Sequence, residues 1–200
     1  MIFQVEPEVT NSDIKAVSQY MSSGGWLTEH KLTNEFENKI SNHIGRKHAI
    51  AVPNGTIAIY LSLMSLGIKK GDRVAVPNIT MIATVNAILW VGAEPVLIDV
   101  DEDFCMSINH LKKIKNLTAV IFVPLNGRIG NGQLVEKWCN NNQIKLIEDS
   151  AHSLGTKYKN SNAGNLGDLS VLSFTPHKII TTGQGRMVLT NSKKLANKII

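Results

Sequence analysis

Between Leu146 and Met187 the chain reads LIEDSAHSLGTKYKNSNAGNLGDLSVLSFTPHKIITTGQGRM. One apolar run (Ile144, Leu146, Ile147) ends in an acid, Asp149. A second (Leu169, Val171, Leu172) ends in Ser173-Phe174. Three residues further on stands Lys178, followed by the turn Thr181-Thr182-Gly183-Gln184-Gly185. A lysine, a carboxylate and hydroxyl donors form the set that pyridoxal phosphate (PLP) chemistry requires. The lysine forms a Schiff base with the cofactor aldehyde. The carboxylate keeps the pyridine nitrogen protonated, so that the ring draws electrons from a developing carbanion, and the donors hold the phosphate. Without the acid, Lys178 would bind such a cofactor but drive little chemistry.

Placing these groups together requires strands that end on one edge. Short apolar runs at 49–52, 73–76, 95–100, 119–123, 144–147 and 169–174 read as strands, and Val188-Leu189 as the start of a return strand. Between them, the patterns at 34–44, 57–66, 83–90, 108–114 and 134–141 read as helices. Phe36, Ile40 and Ile44 recur every four residues in the first, and Gly67 is placed to end the second. Near-continuous apolar strands alternating with helices predict an α/β fold whose mostly parallel sheet is covered on both faces. Ligands in such sheets bind beyond the carboxyl ends of the strands. Asn54-Gly55-Thr56, Pro77–Met81, Asp149 and Ser173 all follow strand ends, so they are expected on one edge. Gly55 and Thr56 open a helix, whose free N–H groups and dipole favour an anion.

Each residue also has a plainer reading. Lys178 could be a surface lysine, Asp149 the cap of a helix beginning at Ser150, and Thr56 an ordinary helix cap. His152 could be a satisfied core histidine, Met81 core packing, and Asn126-Gly127-Arg128 a surface turn rather than a contact to substrate or partner.

The stretch from Asp149 to Gly185 resembles the DegT/DnrJ/EryC1/StrS family of PLP-dependent sugar aminotransferases, whose pattern runs roughly EDAAQ-x-x-G…G-x-x-G-D…FSF-x-x-x-K-x-x-T-T-G-E-G-G. The likeness continues upstream through Trp26-Leu27-Thr28, Phe36-Glu37, Asn54-Gly55-Thr56, Gly71-Asp72 with Val76-Pro77, and Gly92-Ala93-x-Pro95, in order along nearly the whole chain. The wording PLNGR and TPHKIITTGQG is most similar to the branch that makes amino sugars on nucleotide diphosphates.

The resemblance implies a fold-type I large domain, a homodimer with the active site at its interface, and transfer of an amino group, typically from glutamate, to a nucleotide-linked 4-keto-6-deoxy sugar. It makes Lys178 the Schiff-base residue and proton shuttle, Asp149 the partner of the pyridine nitrogen, and Gly55, Thr56 and Ser173 the phosphate ligands. His152 would meet the cofactor's 3′-oxygen, and Met81 would cover the ring where many relatives place an aromatic side chain. Some members carry histidine in place of the lysine and act as dehydratases; the register here puts His177 one position early and favours transamination. Two departures stand out. Gln184 replaces a glutamate, and Arg186 replaces a glycine. If that glycine serves a positive φ, arginine would strain the turn beside Lys178.

Composition narrows the remaining classes. The chain has 200 residues, 43% of them hydrophobic, enough for one globular core. No apolar run is long enough for a membrane span, and the start MIFQVEPEV does not read as a secretory signal, so a soluble, cytoplasmic protein is expected. The net charge of +5 is spread among apolar residues without aromatic interleaving, which argues against nucleic acid. Cys105 and Cys139 lack metal-ligand spacing and are expected as free thiols. The end, Leu195–Ile200, reads as a helix cut in its middle. Family members are generally nearly twice this long, so residues 1–200 are expected to be an incomplete PLP-binding large domain without its smaller partner. A catalytically silent fragment is the rival expectation from another functional class.

Overall fold

The computed structural model describes residues 8–26, 31–159 and 161–200. The first seven residues, and Leu27-Thr28 of the Trp26-Leu27-Thr28 motif, lie outside them. Helices α1 (Asn11–Ser22) and α2 (Lys31–Ile44) come first. Strand β1 (His48–Val52), helix α3 (Gly55–Ser65), strand β2 (Arg73–Pro77), helix α4 (Ile82–Trp90) and strand β3 (Glu94–Ile98) follow. A single turn of helix, α5 (Ile108–Leu111), leads to β4 (Ala119–Phe122), α6 (Gly132–Asn141) and β5 (Lys145–Asp149). The short pair β6 (Lys157–Tyr158) and β7 (Ser161–Asn162) precedes β8 (Leu169–Ser173), β9 (Arg186–Thr190) and α7 (Lys193–Ala196).

Seven strands form one sheet in the order β1-β9-β8-β5-β4-β2-β3. Neighbours from β8 through β3 are parallel, and β9 alone runs the other way, antiparallel to both β1 and β8. This is the mostly parallel α/β sheet expected. Strands β4 and β8 are buried along their whole length, and β5 beyond Lys145, because helices cover both faces. On one face Ile121, Ile147, Leu169 and Val171 pack with Ile59 and Leu63 of α3 and Ile88 of α4. On the other, Val120, Phe122 and Leu146 pack with Leu111 of α5 and Val135 and Cys139 of α6. Beside these, Leu172, Phe174, Met187 and Leu189 meet Ile40 and Ile44 of α2, where Phe36 sets its ring edge-on to Phe174 at 4.9 Å. The spacing-four stripe of α2 is therefore its buried face.

Where the structure departs from expectation, local chemistry explains it. Helix α1 was not legible as a helix. It is closed by a capping box, in which the Thr10 N–H donates to Asp13 Oδ2 at 2.7 Å and the Thr10 hydroxyl accepts from the Asp13 N–H. None of its residues is buried. Helix α5 is one turn rather than two. The expected terminal helix is likewise one turn, α7. The segment 158–168, expected as loop, carries the β6–β7 pair from Tyr158 on and is pinned by buried charge. Arg46 donates from Nε to the Gly164 carbonyl (3.1 Å) and from Nη1 to that of Gly167 (3.0 Å). Fully buried Glu148 accepts from the Gly164 and Leu166 N–H groups at 2.9 and 2.8 Å. Desolvation pushes its carboxyl upward, against the pull of those donors and Arg46.

Candidate active site

The cavity beyond the strand ends holds about 530 Å³. Gly55 and Ile59 of α3 line it, as do Met81, Ala83 and Thr84 around the start of α4. Asp149 and His152 come from the end of β5 and the turn after it. Lys178, Gln184 and Arg186 come from the β8–β9 connection and the start of β9. Five of the seven residues singled out in the sequence thus meet in one space: Gly55, Met81, Asp149, His152 and Lys178. Thr56 and Ser173 are not among its lining residues. Thr56 sits one residue into the helix behind Gly55, and Ser173 is buried with its hydroxyl 3.3 Å from that of Thr175, which does line the cavity.

Asp149 is the last residue of β5 and is 6% exposed. No helix begins at Ser150, so it is not a helix cap. Its Oδ2 accepts from the Thr84 hydroxyl at 2.8 Å, and its Oδ1 from the Ala151 N–H at 3.3 Å. Thr84 is fully buried on α4 and aims the carboxylate from across the cavity. Sequence reading missed it, because nothing in the sequence pairs residues 65 positions apart. Asn54 caps α3, accepting the Ile57 N–H at 3.0 Å, so Thr56 is not the cap. With Ile57 capped, the earlier backbone N–H groups of α3 have no intrahelical partner, and they begin at Gly55, which lines the cavity.

Lys178 lies on a turn, as its position after Pro176-His177 suggests. Its N–H donates to the Thr175 carbonyl at 3.0 Å, and the Phe174 carbonyl accepts from the Thr182 N–H (3.0 Å) and the Thr181 hydroxyl (3.1 Å). Gly183 and Gly185 supply the positive φ that closes this connection, at 76° and 133°. Arg186 does not lie in the left-handed region; it pairs with Val52 and Ser173 as a strand residue. The strain expected from arginine there is absent, because the turn ends one residue before it.

The electrostatics favour a neutral amine. Burial holds the half-buried Lys178 below its ordinary value; the Arg186 cation adds to this and Asp149 opposes it. Burial likewise lowers His152, with Lys178 next in effect, so its imidazole is neutral near pH 7. Arg186 was not foreseen as a cavity residue. It lies there because β9 runs against its neighbours, which brings its first residue to the edge where the other strands end.

Other candidates fall away on position. Asn126 adopts a left-handed conformation (φ 51°) in a single turn, and the Arg128 guanidinium lies over the Phe104 ring at 5.4 Å; neither lines the cavity. Both thiols are buried, which pushes Cys105 to about 11 and Cys139 to about 12 and leaves them poor nucleophiles. No helix among the described residues is long and apolar enough to cross a membrane.

The sequence profile of the DegT/DnrJ/EryC1/StrS aminotransferase family matches residues 7–200. A GDP-perosamine synthase from Escherichia coli O157:H7 is 37% identical over 198 residues, covering 98% of this chain and 54% of the relative. An aminotransferase structure from Psychrobacter cryohalolentis superimposes with a TM-score of 0.92 at 30% identity, over 99% of this chain and 51% of that one. The PLP-form of a putative sugar aminotransferase, Spr1654 from Streptococcus pneumoniae, superimposes with a TM-score of 0.89 at 26% identity, over 99% and 56%. The chain spans about half the length of the curated relatives it matches.

Proposed function

The chain belongs to the DegT/DnrJ/EryC1/StrS aminotransferase family, and on that premise we propose that residues 1–200 form the PLP-binding large domain of a sugar-nucleotide aminotransferase. The reaction is transfer of an amino group from glutamate to the keto carbon of a nucleotide-linked 4-keto-6-deoxy sugar, carried out by a homodimer. The observation that carries this reading is the meeting of Lys178 and Asp149 in one cavity that Gly55, at the start of α3, also lines.

The residues suit a phosphorylated pyridine aldehyde. A buried, hydrogen-bonded carboxylate faces a space of the right order for such a ring, an amine of lowered basicity stands in the same space, and a helix N-terminus offers N–H groups to a phosphate. Bound there, PLP supplies the electron-withdrawing ring that stabilises negative charge at the substrate carbon. Asp149, held by Thr84, keeps a proton on the ring nitrogen. With PLP bound, the Lys178 amine would be placed to take the proton from the carbon bearing the donor's amino group and to return one in the second half of the reaction. His152, neutral, can donate to an oxygen on the ring, and Met81 covers a ring face from the rim. His177 lines the same cavity but is exposed, whereas Lys178 is half-buried. An amine in the protected place favours transamination over dehydration.

The test is an absorbance titration with PLP on the folded protein and its Lys178→Ala variant. A visible band that the substitution removes is expected, followed by a product heavier by the mass of the keto-to-amine exchange when glutamate and a keto-sugar nucleotide are added. A folded wild-type protein that gives no lysine-dependent band would sink the reading and leave the silent-fragment alternative. A deoxy product without nitrogen would favour dehydration.

A further inference from the structure

We infer that Arg186 is a phosphate-gripping residue, its guanidinium completing the anion seat that the first turn of α3 begins; the inference rests on the PLP reading above. Three observations converge on it. Arg186 lines the cavity together with Gly55, Asp149 and Lys178. Its guanidinium lies directly against the first residue of α3, where a Cβ added to Gly55 would meet the guanidinium carbon at 2.8 Å and two of its nitrogens at 2.9 and 3.0 Å. Its Nε is buried without a hydrogen-bond partner, and among the described residues no carboxylate stands within salt-bridge distance of it.

A guanidinium carries five N–H donors in a planar fork and does not lose its charge at working pH. Partly withdrawn from water, with its buried Nε an unused donor, it costs free energy until an anion arrives. Among the described residues Asp149 is the acid whose field reaches it appreciably, and that carboxylate is already engaged by Thr84 and the Ala151 N–H. The remaining demand is for an anion lying between the guanidinium and the N–H groups of α3. A phosphate monoester fits because it accepts from a planar fork and a helix terminus at once. Gly55 acquires a second role here. It lets the guanidinium rest on the helix start, which any larger residue would prevent. Arg186 also acts on the chemistry at a distance, since its charge is the second cause of the low basicity of Lys178.

The test separates phosphate from ring. PLP and pyridoxal, which shares the ring and aldehyde but lacks the phosphate, are titrated into wild type, Arg186→Ala and Arg186→Lys by the lysine-dependent band. In Arg186→Ala, PLP should bind about tenfold more weakly or worse while pyridoxal stays within about twofold, and Arg186→Lys should recover part of the loss. Gly55→Ala, which displaces the guanidinium without removing it, should also lower the PLP-to-pyridoxal preference. An unchanged preference in Arg186→Ala would overturn the inference. So would tighter PLP binding, which would mean that the guanidinium occupies the seat instead of serving it. If the alanine variant does not fold, Arg186→Gln keeps the length, drops the charge, and carries the same comparison. A folded wild type showing no band with either compound overturns the PLP reading itself, and this inference with it; a band present but indifferent to Arg186 overturns only the inference.

Discussion

Lys178 shows how a single side chain carries function at the expense of stability. Its folded-state basicity is depressed, so between that lowered value and the ordinary 10.5 the unfolded chain binds more protons than the folded one. Stability from this group therefore rises with pH across that window, and below it the buried charge is a net cost. Lys178→Met, measured by thermal unfolding at pH 7, should raise Tm while abolishing the PLP band; a fall in Tm would mean that the amine is structurally required. In the same window the rate of PLP capture should climb with pH and level off below 10.5, because only the neutral amine attacks. In Arg186→Ala the rise should move to higher pH, since the Arg186 cation that helps burial hold Lys178 low is gone. Thr84 works through Asp149. Thr84→Val keeps the shape and removes the donor, leaving the buried carboxylate one partner short at a cost of about 1–3 kcal/mol. That loss should appear as weaker PLP binding, and restoring the hydroxyl with Thr84→Ser should recover most of it.

Elements bring these residues together, and their legibility followed from how local the governing forces are. Strand β4 was readable because burial on both faces leaves an uninterrupted apolar run, β5 and β8 because Leu146-Ile147 and Leu169, Val171 and Leu172 dominate them, and α3 because Asn54 and Gly67 punctuate it. Asp149 was legible because it ends β5, Gly55 because it opens α3 soon after β1, and Lys178 because it follows the end of β8. Helix α1 was not, since an exposed helix needs no broad apolar face and its stability comes from the Thr10–Asp13 box. Arg186 as a cavity residue depended on the reversed direction of β9, and Thr84 on a bond across the fold; neither leaves a local trace. Arg46 and Glu148 were equally silent, though they hold Gly164, Leu166 and Gly167 in the stretch before β8. The tie is testable through Glu148→Gln. An amide offers one acceptor where the carboxylate offered two, so one of the Gly164 and Leu166 N–H groups is left facing a donor. The expected loss is about 1–3 kcal/mol. For a chain of this size that corresponds to a Tm lower by roughly 2–4 °C per kcal/mol, with faster amide exchange concentrated in 161–168.

At the scale of the whole molecule, the sheet delivers its chemistry to one edge, and the rim of that edge is apolar and open. Met81, which lines the cavity, is 65% exposed, its chain neighbours Ile79 and Ile82 are 42% and 62% exposed, and Leu89 and Trp90 at the far end of α4 are more than half exposed as well. Apolar side chains gathered beside a cavity that must exclude water call for a cover. In the proposed homodimer the cover is a second copy, which would close the mouth of each site with the rim of the other. Sedimentation equilibrium at several concentrations, with PLP present, should then report a dimer. Ile82→Asp, placing a charge on the rim without touching Lys178, Asp149 or Arg186, should shift the equilibrium toward monomer and weaken PLP binding in proportion to the monomer fraction. If the wild-type protein stays monomeric at every concentration yet binds PLP tightly, the second copy is not what completes the site. If Ile82→Asp remains dimeric with full affinity, the interface lies elsewhere on the surface, and the apolar rim serves the sugar-nucleotide instead.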